Sequence, residues 1–394
     1  MTRGDGDLGA TVEGDIMRFI KTAVLGSIAA ATLAFASSPS FAIEPGDFQA
    51  TLAGATIGIP AGALPPPGLY GGLQTFVGPN AKGTGQNSKA AGADLGNGLT
   101  VFGEAIVPSL LWSTGWNLFG GNVGFVVVQP LYTVAGLFTN CPPAATCNGT
   151  APIAFGNGAF FENVHNTIWQ AIDSWNWKNG WFTSLGFAFQ GPDGSQYAGT
   201  LNQDYWTFSP TAAISYLSPK WKATANLEYD FHTKSKGNTG SFAAVQQTAV
   251  GGIPIPAPNG CVGFNCPGIG WQSGDQFFID WSIEYRWGKL AFGPAGDFKF
   301  QTTSDSPGSG WTCATLTASP AYGRSFSCGK AYDISLGGII GYDFGPAELE
   351  VFAVDSVANK DDFDGWKIFT RLSFKLDDPA PKAEAAKPMV GKAH

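Results

Sequence analysis

Trp221-Lys222-Ala223-Thr224-Ala225-Asn226-Leu227-Glu228-Tyr229-Asp230-Phe231 alternates apolar and polar residues without a break. In an extended chain, Trp221, Ala223, Ala225, Leu227, Tyr229 and Phe231 share one side, and Lys222, Thr224, Asn226, Glu228 and Asp230 share the other. A helix would scatter both sets around its axis. The stretch predicts a β-strand with one oily face and one wet face.

The pattern repeats outward from there. Phe277, Ile279, Trp281, Ile283, Tyr285 and Trp287 oppose Asp280, Ser282, Glu284 and Arg286. Trp366, Ile368, Leu372 and Phe374 oppose Lys367, Arg371, Ser373 and Lys375. Trp206 to Tyr216, Leu290 to Gln301, Tyr332 to Phe344 and Ala347 to Asp355 read the same way. Gly68 to Phe76, Leu99 to Trp112, Asn122 to Thr133, Phe161 to Ile172 and Trp181 to Gln190 alternate less cleanly, and bring the expected number of strands to 12.

The connections decide what these strands build. Polar, Gly-rich loops follow the odd-numbered strands, roughly at Val77 to Gly98, Val134 to Phe160, Gly191 to Tyr205, His232 to Asp275, Thr302 to Ala331 and Ser356 to Gly365. Short links follow the even-numbered ones. Three are tight, at Ser218-Pro219-Lys220, Gly288-Lys289 and Gly345-Pro346, and two, Ser113 to Gly121 and Asp173 to Gly180, are intermediate. A soluble sandwich has no reason to sort loops by length in this way. A transmembrane antiparallel β-barrel does, with short periplasmic turns and long external loops. Its apolar face suits lipid, its polar face a wet lumen, and its closed ladder satisfies backbone groups that hydrocarbon cannot. Trp206, Trp221, Tyr229, Tyr285, Trp287 and Trp366 are placed to form interfacial girdles.

Composition removes the competing classes. The chain has 394 residues, of which 13% are charged and 13% aromatic, with 54 Gly. A disordered chain lacks such aromatic content, and a helical bundle does not tolerate so much Gly. After the leader, no run of about 18 apolar residues is uninterrupted; Val123 to Phe138 is broken by Gln129-Pro130. The net charge of −8 excludes a nucleic-acid binder working through a basic face.

Four segments follow. Residues 1–42 read as upstream residues and a secretory signal, with Met17-Arg18-Phe19-Ile20-Lys21, a small apolar run from Ala23 to Ala36, and Ser40-Phe41-Ala42. Met17 is the expected true start. Residues 43–67, rich in Gly, Ala and Pro, read as a lumen plug or a periplasmic lead. Residues 68–376 form the barrel, and 377–394 a disordered tail.

The expected pore-lining residues are Asn226, Glu228, Asp230, Asp280, Glu284, Arg286, Lys299, Asp333, Lys367 and Arg371, on the polar faces beside Glu348 and Glu350. They suit either a lining that selects solutes or a network of ion pairs filling a narrow lumen. Asp280, Glu284 and Arg286 are spaced to make ion-paired staples as readily as a pathway. Three local cysteine pairs, Cys141 with Cys147, Cys261 with Cys266 and Cys313 with Cys328, each fall within one expected external loop. In an exported protein they read as disulfides, and none has the spacing of a zinc site. The three histidines, His165, His232 and His394, present no hydrolase constellation, so no catalytic residue, metal or cofactor is expected. Gly83 to Ser88 lacks phosphate-loop spacing, and Asn148-Gly149-Thr150 matches a glycosylation acceptor only in form.

Leu64-Pro65-Pro66-Pro67-Gly68-Leu69-Tyr70, Ser209 to Tyr216 followed by Trp221 to Asp230, and Ser273 to Trp281 resemble, in order, the MetA-pathway phenol-degradation proteins, also called the SphA-like family. The resemblance covers most of Leu64 to Leu376. It implies a Gram-negative outer-membrane barrel linked with catabolism of aromatic or hydrophobic compounds and presumed to transport them. It supplies no catalytic residues. The cysteine-bearing loops and the tail look like additions to the family pattern.

The expectation is an outer-membrane channel for passive uptake of small, aromatic or hydrophobic solutes, with both termini periplasmic. Its partners would be outer-membrane lipid and those solutes, with no nucleic acid; the oligomeric state stays open. A structural or adhesive barrel with a closed lumen is the alternative, and an outer-membrane lipid hydrolase a third reading.

Overall fold

The computed structural model describes residues 50–83, 99–138, 151–155, 163–195, 203–235, 272–304, 306, 330–360 and 363–377. Twelve long antiparallel strands close into a barrel. They are β1 (Gly68–Gly83), β2 (Leu99–Leu118), β3 (Gly121–Val128, resuming at Leu131–Phe138), β4 (Ile168–Asn176), β5 (Trp181–Gln190) and β6 (Thr207–Leu217). They continue as β7 (Trp221–His232), β8 (Gln276–Trp287), β9 (Leu290–Gln301), β10 (Tyr332–Asp343), β11 (Ala347–Lys360) and β12 (Trp366–Asp377). Each strand pairs with its neighbours in sequence, and β1 pairs with β2 on one edge and β12 on the other, so no long strand is left as an edge. Short strands at Ala151–Phe155 and Asn163–Val164 extend the wall beside β3, and Phe363–Asp364 pairs with the end of β1.

The alternation sets the faces. Leu73, Leu185, Phe187, Ile214, Ile283, Ile340 and Val351 stand exposed on the outer wall. Thr224, Asp230, Asp280, Glu284, Asp297 and Ser335 are buried on the inner one. In a soluble protein the polarity would be inverted. Here the oily side faces outward, as lipid requires. Of the expected girdle residues, Trp206, Trp221 and Trp287 are exposed and Tyr229, Tyr285 and Trp366 half-buried, and the Trp221 ring meets that of Tyr285 edge-on at 5.1 Å.

Both intermediate links prove tight. Phe119 and Gly120 alone join β2 to β3, both with positive φ, at 47° and 84°. That conformation gives a two-residue hairpin the twist its strands need. Strand β2 is longer than its alternation suggests because the register slips between Ser113 and Asn117, which breaks the period. Lys178 and Asn179, with φ of 68° and 51°, make the β4–β5 turn. Strand β4 starts at Ile168 rather than near Phe161. Where β3 breaks at Gln129-Pro130, Gln129 N still donates to Pro108 O and His165 N to Pro130 O, and side chains add to the wall: Gln129 Nε2 donates to His165 O and Thr167 Oγ1 to Gln129 Oε1, both at 2.7 Å. The last connection is shorter than expected, because β11 runs on to Lys360.

Candidate functional site

The lumen is not empty. Residues 50–67 thread it from the end where the long loops leave to the end where the tight turns lie. Gln190, at the loop end of β5, donates to Ala50 O at 3.0 Å. Ser113 Oγ, near the turn end of β2, donates to Pro65 O at 2.8 Å, and β1 begins three residues later. Between these points the segment coils through successive turns, with Ala55 N bonded to Leu52 O, Ile57 N to Gly54 O and Ile59 N to Thr56 O. Its small residues are a steric requirement. A Cβ on Gly58 would sit 2.6 Å from Ile339 Cδ1, and one on Gly62 would sit 2.8 Å from Ser215 N.

The inner wall grips this coil by its backbone. Gly54 N and Thr56 N donate to the two carboxylate oxygens of Asp280 at 2.9 and 2.8 Å, and Thr56 Oγ1 donates to Oδ2 at 2.8 Å. Asn226 Nδ2 donates to Thr56 O and Ile59 O at 2.8 and 3.0 Å. Arg371 donates to Ala55 O and Ile57 O at 3.2 and 2.6 Å. Lys367 Nζ reaches Ala53 O at 3.3 Å. Thr51 Oγ1 donates to Glu228 Oε1 at 2.8 Å. Towards the turn end the grip comes from hydroxyls: Gly62 N donates to Ser215 Oγ, while Ser184 Oγ and Ser174 Oγ donate to Ala61 O and Gly62 O, both at 2.7 Å. A coil without a ladder of its own leaves backbone groups that must find partners, and the wall supplies them.

Around the coil the charges are organised on three cations. Lys222 meets Glu284 at 3.1 Å, Glu348 at 3.6 Å and Glu350 in close contact. Arg371 bonds Glu350 at 3.0 Å and Gln74 at 2.9 Å, with its guanidinium 5.0 Å from the centre of the Phe352 ring. Lys367 bonds Asp297 at 2.6 Å and lies 3.6 Å from Asp333, which also accepts from Ser335 and Ser356. Lys299 faces Asp333 across the β9–β10 ladder. Asp230 accepts from Ser209 Oγ at 2.6 Å near the loop end.

Of the residues singled out from sequence, Asn226, Glu228, Asp230, Asp280, Glu284, Lys299, Asp333, Lys367 and Arg371 all stand on the inner wall, most of them in contact with the coil or with one another. Arg286 does not join Asp280 and Glu284 in a staple. It lies at the turn end, beside a cavity of about 350 Å³. Lys222, Asp297 and Glu350 belong to the network but are not among those ten. Lys222 sits in phase with Thr224 and Asn226, and Asp297 in phase with Lys299, so period-two spacing marks both. The serines that hold the coil carried no signal, since an inward Ser on a wet face is unremarked. His232 Nδ1 lies 2.9 Å from Thr207 Oγ1, and His165 Nδ1 is 3.2 Å from Asn166 O. All six cysteines, His394, Asn148, the leader before residue 50 and the tail after Asp377 lie outside the described residues.

A family model described as "Putative MetA-pathway of phenol degradation" matches residues 84–372. The chain belongs to this family. Among solved structures it is similar to an outer membrane channel from Pseudomonas putida, with a TM-score of 0.55 at 10% identity, covering 81% of this chain and 98% of that one. It is more distantly similar to the toluene transporter TbuX of Ralstonia pickettii, with a TM-score of 0.37 at 10% identity, covering 86% of this chain and 96% of that one. A FadL homologue of Pseudomonas aeruginosa gives a TM-score of 0.33 at 10% identity, covering 86% and 99%. No curated protein matches the chain in sequence. This chain's barrel thus has the fold of an outer membrane channel, here with a coil of 18 described residues drawn through it.

Proposed function

We propose that the protein is a passive channel of the outer membrane that takes up small aromatic or hydrophobic solutes. The observation that carries this reading is the nature of the lumen. It is lined mostly by charged and hydroxyl groups, with one apolar cluster of Phe76, Ile339, Phe352 and Phe369 beside buried Ile57, and it is filled by a coil whose backbone is held through hydrogen bonds. The net worth of each such hydrogen bond is modest because water can replace it, which lets the coil give way to a solute. Family membership and the similarity to an outer membrane channel support the same reading. Tight turns facing the periplasm and long loops facing outward would let solute arrive past the loops and leave beside the turns. In that orientation β12 ends on the periplasmic side. No chemistry is assigned to the wall; its residues orient and hold.

A second reading is favoured by one observation: residues 50–67 bridge the lumen from end to end, which suits a structural barrel with a closed interior. Solute flux separates the two. Purified protein in liposomes would be compared with empty vesicles for toluene, phenol and a small sugar, with folding checked by heat-modifiable gel mobility. Saturable aromatic flux with little sugar flux is the expected result. Folded protein that carries none of the three overturns the channel reading in favour of the structural one.

A further inference from the structure

We infer that the turn end of the lumen holds an anion subsite, centred on Arg286 and Lys289, that takes the carboxylate of a small aromatic acid. The coil leaves the barrel asymmetrically. Its residues 61–65 are bonded to Ser215, Ser184, Ser174 and Ser113, on β6, β5, β4 and β2. The opposite arc, made of β8 to β12 and β1, is left uncovered at this level, and there the cavity of about 350 Å³ opens. That volume is within the usual range for small-molecule sites.

Three cations, Arg286, Lys289 and Lys375, and two carboxylates, Asp343 and Glu348, line it. Asp343 Oδ1 accepts from Gly345 N at 2.6 Å, which ties it into its own turn. Glu348 is 3.6 Å from Lys222 and belongs to that network. Arg286 and Lys289 line the same cavity, and neither has an acidic partner among the described residues. Arg286 offers a planar fork suited to a carboxylate, and Lys289 a second positive charge on the adjoining turn. Tyr70, Ala291 and Ala347 give the cavity apolar surface for a ring. Tyr70 is itself fixed, its hydroxyl donating to Pro66 O at 2.7 Å. A ring bearing one carboxylate matches this mixture better than a neutral ring, which would leave both cations unmatched, or an inorganic anion, which would leave the apolar surface wet. That the subsite lies at the exit of the path rests on the uptake reading; that it binds does not.

Equilibrium binding to the purified barrel tests it without any flux measurement. The probes are benzoate, benzyl alcohol as its uncharged counterpart, and inorganic phosphate. Benzoate is expected to bind at least about tenfold more tightly than benzyl alcohol, the worth of one charge-assisted contact. Arg286→Gln and Lys289→Gln should each weaken benzoate, and the double variant should abolish the preference while keeping heat-modifiable mobility. Equal binding of benzoate and benzyl alcohol overturns the inference, as does benzoate binding unchanged in the double variant. Phosphate binding as tightly as benzoate overturns the aromatic assignment. Should transport fail while benzoate binding holds, only the uptake reading falls; should benzoate binding fail while toluene still crosses, only the subsite falls.

Discussion

At the residue scale, Arg371 ties the wall to the coil. It bonds Glu350 and Gln74 on the wall and two carbonyls of the coil. Removing one partner of a buried ion pair leaves an uncompensated charge, and the usual cost is about 3–5 kcal/mol. Glu350 keeps Lys222, so Arg371→Met is expected at the lower end, about 3 kcal/mol. Urea unfolding in detergent, followed by heat-modifiable mobility, measures it. In a double-mutant cycle with Glu350→Gln, the double variant should lose less than the sum of the two single losses, and strict additivity would show that the pair is not the cause. Arg371 was legible from sequence as an inward charge because Trp366, Ile368 and Leu372 fix its phase. Its grip on Ala55 and Ile57 was not. A backbone carbonyl more than 300 positions away leaves no mark in local alternation.

At the element scale, Gly293 on β9 and Gly337 on β10 stand where no Cβ fits. A Cβ on Gly337 would lie 1.9 Å from Ala353 O on β11, and one on Gly293 would lie 1.8 Å from Ile283 O on β8. These are backbone atoms, which cannot swing aside. Gly337→Ala is expected to part β10 from β11 and to reduce the yield of heat-modifiable barrel sharply, while Gly338→Ala, whose nearest neighbour would be Gly293 O at 3.3 Å, should be tolerated far better. Equal yields would refute the steric account. On the outer wall, Leu185 is 60% exposed to what we read as lipid. Leu185→Arg should cost about 2–4 kcal/mol if that residue sits near the bilayer midplane. The same substitution would cost little on a water-facing wall, so refolding into liposomes distinguishes the two. The strands from Trp206 onward were legible to within a few residues, apart from β11, which runs on past Asp355 to Lys360, because their period is mostly unbroken. The early ones were not, because a register slip after Ser113 and a proline at position 130 both break alternation while leaving the strand in place.

For the whole molecule, the question is whether the coil governs passage. Replacing residues 53–59 with a Gly-Ser stretch of equal length removes the turns that present carbonyls to Lys367, Arg371 and Asn226. If the uptake reading holds, sugar flux through the variant should rise towards that of a general pore, with selectivity lost. Unchanged flux in a folded variant would mean the coil does not limit passage. The barrel class was readable from sequence because loop length and facial polarity report on the same membrane. The content of the lumen was not, since residues 43–67 are as compatible with a lead outside the barrel as with a coil inside it; only the three-dimensional positions of Asp280, Asn226 and Arg371 separate the two.

The route of residues 50–67 also imposes an order on biogenesis. The coil is among the first parts of the barrel region to leave the ribosome, yet three of its anchors, Ala53, Ala55 and Ile57, are held by Lys367 and Arg371 on the last strand. The ribbon must remain open until the coil is laid along it, and the β1–β12 seam can zip only afterwards. Such distant pairings are slow to form. A chain cut short before position 367 would therefore leave Ala53, Ala55 and Ile57 unheld and the seam open together.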